Sequence, residues 1–302
     1  MPVPALSCFD FRLRSEFPLP ELPAAAGGDA RPVVTVRRAG VPEALPGAGP
    51  PIAGLQQSGR AALLTVPGVA RFLVEGGQDI AVEPLPGATE RRVRLFLLGS
   101  ALGILCFQRG LLPLHANAVV AGGAAFAFAG PSGAGKSTLA GHFAASGYDV
   151  LCDDVCAVGF DHADRPLVWP GIPRVKLWRD ALEALGNESA GLDAVAEGID
   201  KYHVALPRTL AGPVPLRRLY VLERSGDNAA GGVTRLRGQQ AMQAVLEQTY
   251  RREYLAPLGL VPQHFRLCAR LATAIEVYRL ERAWGYEVFE RELARLRAHI
   301  SA

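Results

Sequence analysis

One eight-residue stretch has the residue types and the spacing of a phosphate-binding loop. Residues 130–137 read Gly-Pro-Ser-Gly-Ala-Gly-Lys-Ser, which fits the pattern G-x-x-x-x-G-K-[ST]. Glycines in such a loop let successive backbone N–H groups turn inward around an anion, and the loop opens a helix whose positive end faces that anion. Only three of the 32 Lys and Arg residues are lysines, and one of them, Lys136, stands where the pattern requires lysine.

This loop predicts a nucleotide and a magnesium ion as cofactors. Lys136 is expected to reach the β- and γ-phosphates of ATP, and the Ser137 hydroxyl is expected to bind Mg²⁺. The predicted nucleotide-binding residues are Gly130, Pro131, Ser132, Gly133, Ala134, Gly135, Lys136, Ser137 and Thr138.

A pair of acidic residues follows the loop and the strand-like run that comes after it. Asp153 and Asp154 come after a strand-like run, 148–151, which returns the chain to the phosphate end of the sheet. In phosphoryl transfer one carboxylate can accept the proton of an attacking hydroxyl, and another can coordinate Mg²⁺. Adjacent residues on an extended segment point to opposite sides, so the two tasks can be divided between them. A solvated turn is the alternative interpretation of this pair.

Further polar residues are weaker candidates. His115 lies among apolar neighbours and fits either a buried core histidine or, if the sheet places it beside Asp153, a residue that orients that carboxylate. Arg174, Lys176 and Lys201 are expected either to contact phosphate or an acidic substrate, or to be solvated surface charges.

These residues need a framework of strands and helices, which the sequence pattern predicts in two parts. Residues 1–92 are rich in turns and in short β-like runs, with a hairpin at Gly76-Gly77. Residues 93–302 are predicted to form the catalytic domain. Its predicted helices are 93–108, 138–146, 179–186, 239–252, 262–273 and 287–300, and its predicted strands include 112–120, 124–129, 148–151, 155–160, 167–169, 219–222 and 277–280.

Composition excludes several classes of protein. The net charge of +3, with no arginine-rich run that also carries aromatic residues, argues against nucleic acid as a partner. Charged residues near the N-terminus argue against a signal peptide, and the uncharged stretch 116–135 is too rich in glycine for a membrane helix. Five scattered cysteines are typical of buried thiols in a reducing compartment, so we expect a cytoplasmic protein without a membrane partner.

Three segments together resemble a known family. In order and spacing, residues 114–120, the loop 130–137 and the tripeptide Cys152-Asp153-Asp154 are similar to the catalytic domain of HPr kinase/phosphorylase, over roughly residues 110–220. The resemblance implies an α/β fold with a phosphoenolpyruvate carboxykinase-like P-loop kinase core and a small β-rich N-terminal domain. It also implies that Asp153 is the general base toward a substrate serine, that His115 assists it, and that Asp154 holds the metal with Ser137.

The sequence also departs from that family. Residues 168–173 lack the carboxylate of the family's Ile-Glu-x-Arg-Gly signature, which argues against reverse phosphorolysis, and Arg217-Arg218 only weakly matches its arginine-rich loop. Residues 170–178 look more similar to divergent kinases that accompany lasso-peptide biosynthesis and phosphorylate a precursor peptide. The expected partner is therefore a peptide or protein that bears a serine. Residues 1–92 are expected to dock this substrate, and self-association into a homo-oligomer is a further expectation.

Other functions remain open at this point. A small-molecule kinase of the shikimate type also places acidic residues after the loop's helix, although the hairpin that precedes Gly130 argues against it. A nucleotide-gated regulatory protein, a transporter-type ATPase and a protein that binds nucleotide without phosphoryl transfer are the remaining alternatives. No Ser-Gly-Gly-Gln signature of a transporter ATPase occurs in the chain.

Overall fold

The computed structural model describes residues 4–185, 191–194, 200–206, 210–225, 231–282 and 286–301. The chain forms two compact units, one from residues 1–113 and 250–267 and the other from residues 114–249 and 268–302. Helices and several sheets are present, so the α/β class is confirmed. The boundary drawn from sequence, between residues 92 and 93, falls inside the first unit, and the division into two folding domains stays a prediction.

A seven-stranded sheet dominates the described part of the first unit. Its strands are β1 (Leu6–Cys8), β2 (Phe11–Ser15), β3 (Val33–Arg38), β4 (Leu55–Ser58), β5 (Ala61–Val66), β6 (Ala70–Glu75) and β7 (Asp79–Pro84). The order is β1-β2-β3-β7-β6-β5-β4, with β3 parallel to both of its neighbours and the other pairs antiparallel. The predicted hairpin joins β6 to β7, and Gly76 and Gly77 supply its positive φ angles of 59° and 72°.

The helix predicted over residues 93–108 is longer and is interrupted. It begins at Glu90 because Thr89 caps it, its side chain accepting a hydrogen bond from the Arg92 N–H. It comprises α1 (Glu90–Phe96), a π-helical turn (Leu97–Ala101) and α2 (Leu102–Gln108). A Cβ on Gly99 or Gly103 would lie 3.1 Å from the Tyr250 side chain, so these glycines make room for that ring.

The remaining elements follow the order of the chain. The strands are β8 (Leu112–Leu114), β9 (Ala116–Ala121), β10 (Ala124–Ala129), β11 (Asp149–Cys152), β12 (Cys156–Phe160), β13 (Pro166–Val168), β14 (Arg174–Trp178), β15 (Lys201–Ala205), β16 (Val214–Arg224), β17 (Val233–Leu236) and β18 (Glu276–Arg282). The helices are α3 (Lys136–Ala145), α4 (Arg179–Ala184), α5 (Gln239–Glu247), α6 (Val261–Ala274) and α7 (Tyr286–Ser301). Within the described residues, none of the helices is long and apolar enough to cross a membrane.

The main sheet of the second unit positions the glycine-rich loop. Its nine described strands run in the order β11-β9-β10-β16-β13-β12-β8, with β18 also paired to β16 and β17 paired to β18, and β16 is parallel to both β10 and β18. The carboxyl ends of parallel strands meet at one edge of a sheet, which is where ligands bind in open α/β folds. The loop leaves β10 at this edge.

A row of stacked aromatic rings fixes these strands against α3. Phe128, Tyr220 and Tyr278 are register partners on β10, β16 and β18, and their ring centroids lie 5.3 Å and 5.4 Å apart. Phe143 of α3 continues the row at 5.7 Å from Phe128. Each such pair contributes about 0.5–1.5 kcal/mol beyond the burial of its surface, so the row holds the helix on the strand that precedes the loop.

Sequence-based boundaries were also wrong at β8–β9 and at α5. The strand predicted over 112–120 is broken at His115, whose backbone N–H donates to the Gln248 carbonyl instead of continuing one strand. The helix predicted over 239–252 ends at Glu247, because the chain then pairs in an isolated bridge between Leu114 and Thr249.

Candidate functional site

The loop between β10 and α3 requires glycine at particular positions. Gly130 has a φ of 144°, and a Cβ there would lie 2.9 Å from the Leu222 carbonyl oxygen. Gly133 and Gly135 have φ angles of 84° and 82°, in the left-handed region that favours glycine. The strand, loop and helix order that the sequence predicts is therefore present, with a backbone path that favours glycine at these three positions.

The start of α3 offers backbone N–H groups with no side-chain cap. Gly135 is the N-cap residue, it makes no side-chain capping hydrogen bond, and no acidic residue stands in the first turn. The first N–H groups of a helix lack intrahelical partners and carry partial positive charge. An anion is the ligand that this arrangement fits.

Lys136 lies folded over the loop. Its ammonium group donates hydrogen bonds to the carbonyl oxygens of Gly130 at 2.8 Å and Pro131 at 3.1 Å. Burial lowers the pKa of Lys136 below its usual 10.5, while the negative charges of Asp154 and Asp153 oppose that shift. The side chain thus places a positive charge at the loop, where the charges of the acidic pair act on it.

Asp153 is joined to the first turn of α3. The Ser137 hydroxyl donates to its Oδ1 at 2.9 Å, and the Lys176 backbone N–H donates to its Oδ2 at 2.8 Å. Burial raises the pKa of Asp153 above the usual 3.8, and the charge of Asp154 raises it further, against both hydrogen bonds. The result is a carboxylate that is more basic than usual.

Asp154 has the opposite electrostatic environment. The Lys176 ammonium donates to its Oδ2 at 2.7 Å, and Nδ1 of His115 lies 3.2 Å from its Oδ1. Burial raises the pKa of Asp154, but the His115 hydrogen bond and the Lys176 charge outweigh it and hold this pKa well below the usual 3.8. Two adjacent carboxylates therefore have pKa values that are pushed apart, an arrangement that suits different roles in acid–base chemistry.

The structure brings the predicted residues together in a different pairing from the one expected. His115 contacts the Asp154 carboxylate and carbonyl rather than standing beside Asp153, and Ser137 contacts Asp153 rather than Asp154. The physical reason is local, because β11 ends at Cys152 and Asp154 adopts a left-handed φ of 79°. The alternation of an extended strand therefore does not continue through the pair. The roles assigned to these residues stay predictions.

The three predicted substrate contacts lie on one face of a two-stranded ribbon. In the antiparallel pair β14–β15, Arg174 faces Ala205, Lys176 faces His203 and Trp178 faces Lys201. Residues between them on β14 turn to the other face and are buried. The Lys201 ammonium lies 5.7 Å from the centre of the Trp178 ring, which is 49% exposed. Lys176 on this face also contacts Asp154.

Arg218 is paired within the fold. It is one of the two arginines compared with the family's arginine-rich loop. Its side chain is buried, and its guanidinium pairs with Glu276 at 2.7 Å and donates to the His299 carbonyl. The sequence could not distinguish this arginine from an exposed one.

Asn117 was missed by sequence analysis. It is fully buried on β9, and its side-chain amide donates to the Lys136 carbonyl, which ties the strand to the start of α3. Its Oδ1 is buried without a hydrogen-bond partner among the described residues. The available signal was a single amide within the otherwise apolar run 116–121.

The acidic pair and Ser137 suit a magnesium ion that also uses ligand oxygens. No group of three or more His, Cys, Asp or Glu side chains able to hold a metal occurs within the described residues. Mg²⁺ is typically bound through one or two carboxylates together with phosphate oxygens and waters, so a complete protein cage is not required. The oxygens of Ser137, Asp153 and Asp154 meet that requirement.

Comparison with known proteins does not place the chain in a family. No protein-family model and no curated protein matches it. Among solved structures it is similar to the HPr(Ser) kinase/phosphatase from Coxiella burnetii, with a TM-score of 0.34 and 12% sequence identity, over 63% of this chain and 99% of that chain. A likeness of this size does not define the activity of the chain.

Proposed function

We propose that this protein is an ATP-dependent kinase that transfers the γ-phosphoryl group to a serine hydroxyl of a peptide or protein. The observation that carries the proposal is the contact between Ser137 Oγ and Asp153 at 2.9 Å. It brings a carboxylate of raised pKa to the first turn of the helix that follows the glycine-rich loop. A phosphate-binding loop without such a carboxylate would support nucleotide binding alone.

The loop and α3 would hold the nucleotide. Backbone N–H groups of residues 133–138 and the Lys136 ammonium would surround the polyphosphate. Ser137 and Asp154 would hold Mg²⁺, and this ion would neutralise negative charge on the transferring phosphoryl group. Asp154 suits this role because His115 and Lys176 stabilise its ionised form.

Asp153 would act as the general base. It accepts the proton of the substrate serine while the serine oxygen forms a bond to the γ-phosphorus and the bond from that phosphorus to ADP breaks. A base is most effective when its pKa approaches the working pH, and the raised pKa of Asp153 moves it in that direction. His115 acts through Asp154 as a positioning residue, because it contacts that carboxylate.

The outward face of the β14–β15 ribbon would receive the peptide. Arg174 and Lys201 give this face positive charge, Lys176 on the same face is paired with Asp154, and Trp178 adds an exposed aromatic surface. An acidic segment beside the target serine fits such a face. A lasso precursor peptide is the first substrate to test, and docking by residues 1–92 and homo-oligomer formation belong to the same proposal.

Mass spectrometry of peptides after incubation with the protein, ATP and Mg²⁺ tests this function. We expect a serine-containing peptide with acidic neighbours to gain one phosphate, and its Ser→Ala counterpart to gain none. The Asp153→Asn protein is the matched control and should leave the peptide unmodified. Hydrolysis of ATP with no phosphate on any serine would contradict the proposal.

A further inference from the structure

Arg282 lies beside the start of α3. It ends β18, where it is the register partner of Arg224 on β16. Its Nη1 is 3.5 Å from the position that a Cβ on Gly135 would occupy. Because Gly135 is the N-cap of α3 and precedes Lys136, the guanidinium stands next to the uncapped N–H groups of the loop.

The guanidinium is half-buried. Within the described residues, no hydrogen bond or ion pair joins the Arg282 side chain to a carboxylate. It packs over the Phe289 ring at 4.9 Å. Burial lowers the pKa of Arg282 below its usual range, and the charge of the buried Glu292 opposes this shift.

A cation in such a place costs free energy unless a negative group meets it. Lys136 adds a second positive charge to the same loop, and no acidic side chain stands in the first turn of α3. Neither aspartate of the acidic pair is bonded to Arg282 within the described residues: Asp154 pairs with Lys176, and the charge that acts on Arg282 is that of Glu292. The arrangement therefore favours an anion from outside the protein.

We propose that Arg282 contacts the polyphosphate of the bound nucleotide and is, with Lys136, one of two cations that hold it. This inference rests on the proposed function, since it needs a nucleotide in the loop. The planar guanidinium can donate two parallel hydrogen bonds to phosphate oxygens, which a lysine cannot do. The alternative is a structural arginine that packs on Phe289 and offsets the charge of Glu292.

Calorimetric titration with ATP and Mg²⁺, together with thermal unfolding with and without ATP, separates these roles. In Arg282→Gln we expect the Kd for ATP to rise about 10- to 100-fold, as for loss of a charged hydrogen bond. Arg282→Lys should fall between this variant and wild type. The Tm of the ligand-free Arg282→Gln protein should be unchanged or higher, because a poorly compensated cation has been removed.

Arg279→Gln is the matched control on the same strand, since the Arg279 side chain is 42% exposed and pairs with Glu223 at 3.2 Å. Its Kd for ATP should equal that of wild type. If Arg282→Gln binds ATP as wild type does, the inference is wrong while the proposed function stands. If wild type itself does not bind ATP, both are wrong.

A variant of the neighbouring ring resolves the case in which Arg282→Gln lowers both affinity and Tm. Phe289→Leu keeps the guanidinium and removes the ring beneath it. We expect Phe289→Leu to retain ATP affinity within about threefold of wild type, less than the loss of a charged hydrogen bond. An affinity loss as large as in Arg282→Gln would assign the effect to packing and overturn the inference.

Discussion

Two aspartates, one in each unit, show how the same side chain serves different purposes. Asp29 in the first unit receives three hydrogen bonds from the Arg31 guanidinium, the shortest at 2.6 Å, and they lower its pKa to about 2. Asp153 in the second unit has a raised pKa because of burial and the adjacent charge of Asp154. The first carboxylate is held in its ionised form, whereas the second is more ready to accept a proton.

Two arginines repeat this contrast. Arg109 in the first unit donates to Asp10 at 2.8 Å and to the Gly77 carbonyl at 3.0 Å. Arg282 in the second unit has no such anion within the described residues and lies beside the glycine-rich loop. Polar groups that are fully partnered stabilise a fold, while strongly perturbed groups gathered at one edge of a sheet are typical of a binding or reaction site.

Of the variants that test the contrast between the two aspartates, Asp153→Asn is expected to show the largest loss of activity. Loss of a general base lowers kcat by about 10²- to 10⁴-fold, while ATP binding is retained because the loop is unchanged. Single-turnover transfer from γ-labelled ATP, with ATP affinity measured in parallel, provides the check. Transfer at the wild-type rate would remove Asp153 from the reaction.

Lys136→Ala is expected to lower kcat/KM by about 10²- to 10³-fold, as for loss of an electrostatic stabiliser of the transferring phosphate. Steady-state kinetics at several ATP concentrations measures the effect. An unchanged kcat/KM would show that the nucleotide does not use the loop.

The Lys176→Met variant tests, through the pH dependence of kcat/KM, whether Asp153 is the general base. The Lys176 charge lowers the pKa of Asp153, so its removal raises that pKa. Because a base acts in its ionised form, activity is lost as pH falls through the Asp153 pKa, and the acidic limb of kcat/KM should move to higher pH. Lys176→Arg keeps the charge and should leave the limb in place. A limb that stays at the wild-type pH in Lys176→Met would argue against Asp153 as the titrating group.

Asp29→Asn gives the smallest effect and tests the structural side of the comparison. The variant should lose about 1 kcal/mol of stability at pH 7 and keep wild-type kcat/KM. Because the folded pKa of Asp29 is lowered to about 2, its contribution is present above the unfolded pKa and is lost as pH falls toward 2. Urea unfolding at pH 7 and pH 2.5 measures this, and an equal stability difference at both pH values would contradict it.

Local features of the site were predictable from the sequence. The pattern 130–137 and the apolar run before it predict the loop and strand β10, and the helix begins within two residues of its predicted start. Position relative to the loop also singled out Asp153 and Asp154. These predictions rest on backbone requirements and periodicity that act within a few residues.

Features that depend on distant pairing were not predictable. The contact of His115 with Asp154 needs the left-handed turn at Asp154, and Arg282 reaches the loop only through the parallel pairing of β10, β16 and β18. Strands β15 and β17 were missed because their residues are mostly half-exposed or polar, and they are ordered by pairing with β14 and β18. No local pattern encodes such partners.

A crystal structure with a non-hydrolysable ATP analogue and Mg²⁺ tests the central claim most directly. The account predicts that the polyphosphate accepts hydrogen bonds from the backbone N–H groups of residues 133–138 and that the γ-phosphorus faces the carboxylates of Asp153 and Asp154. A nucleotide bound elsewhere, or a γ-phosphorus remote from both carboxylates, would contradict it.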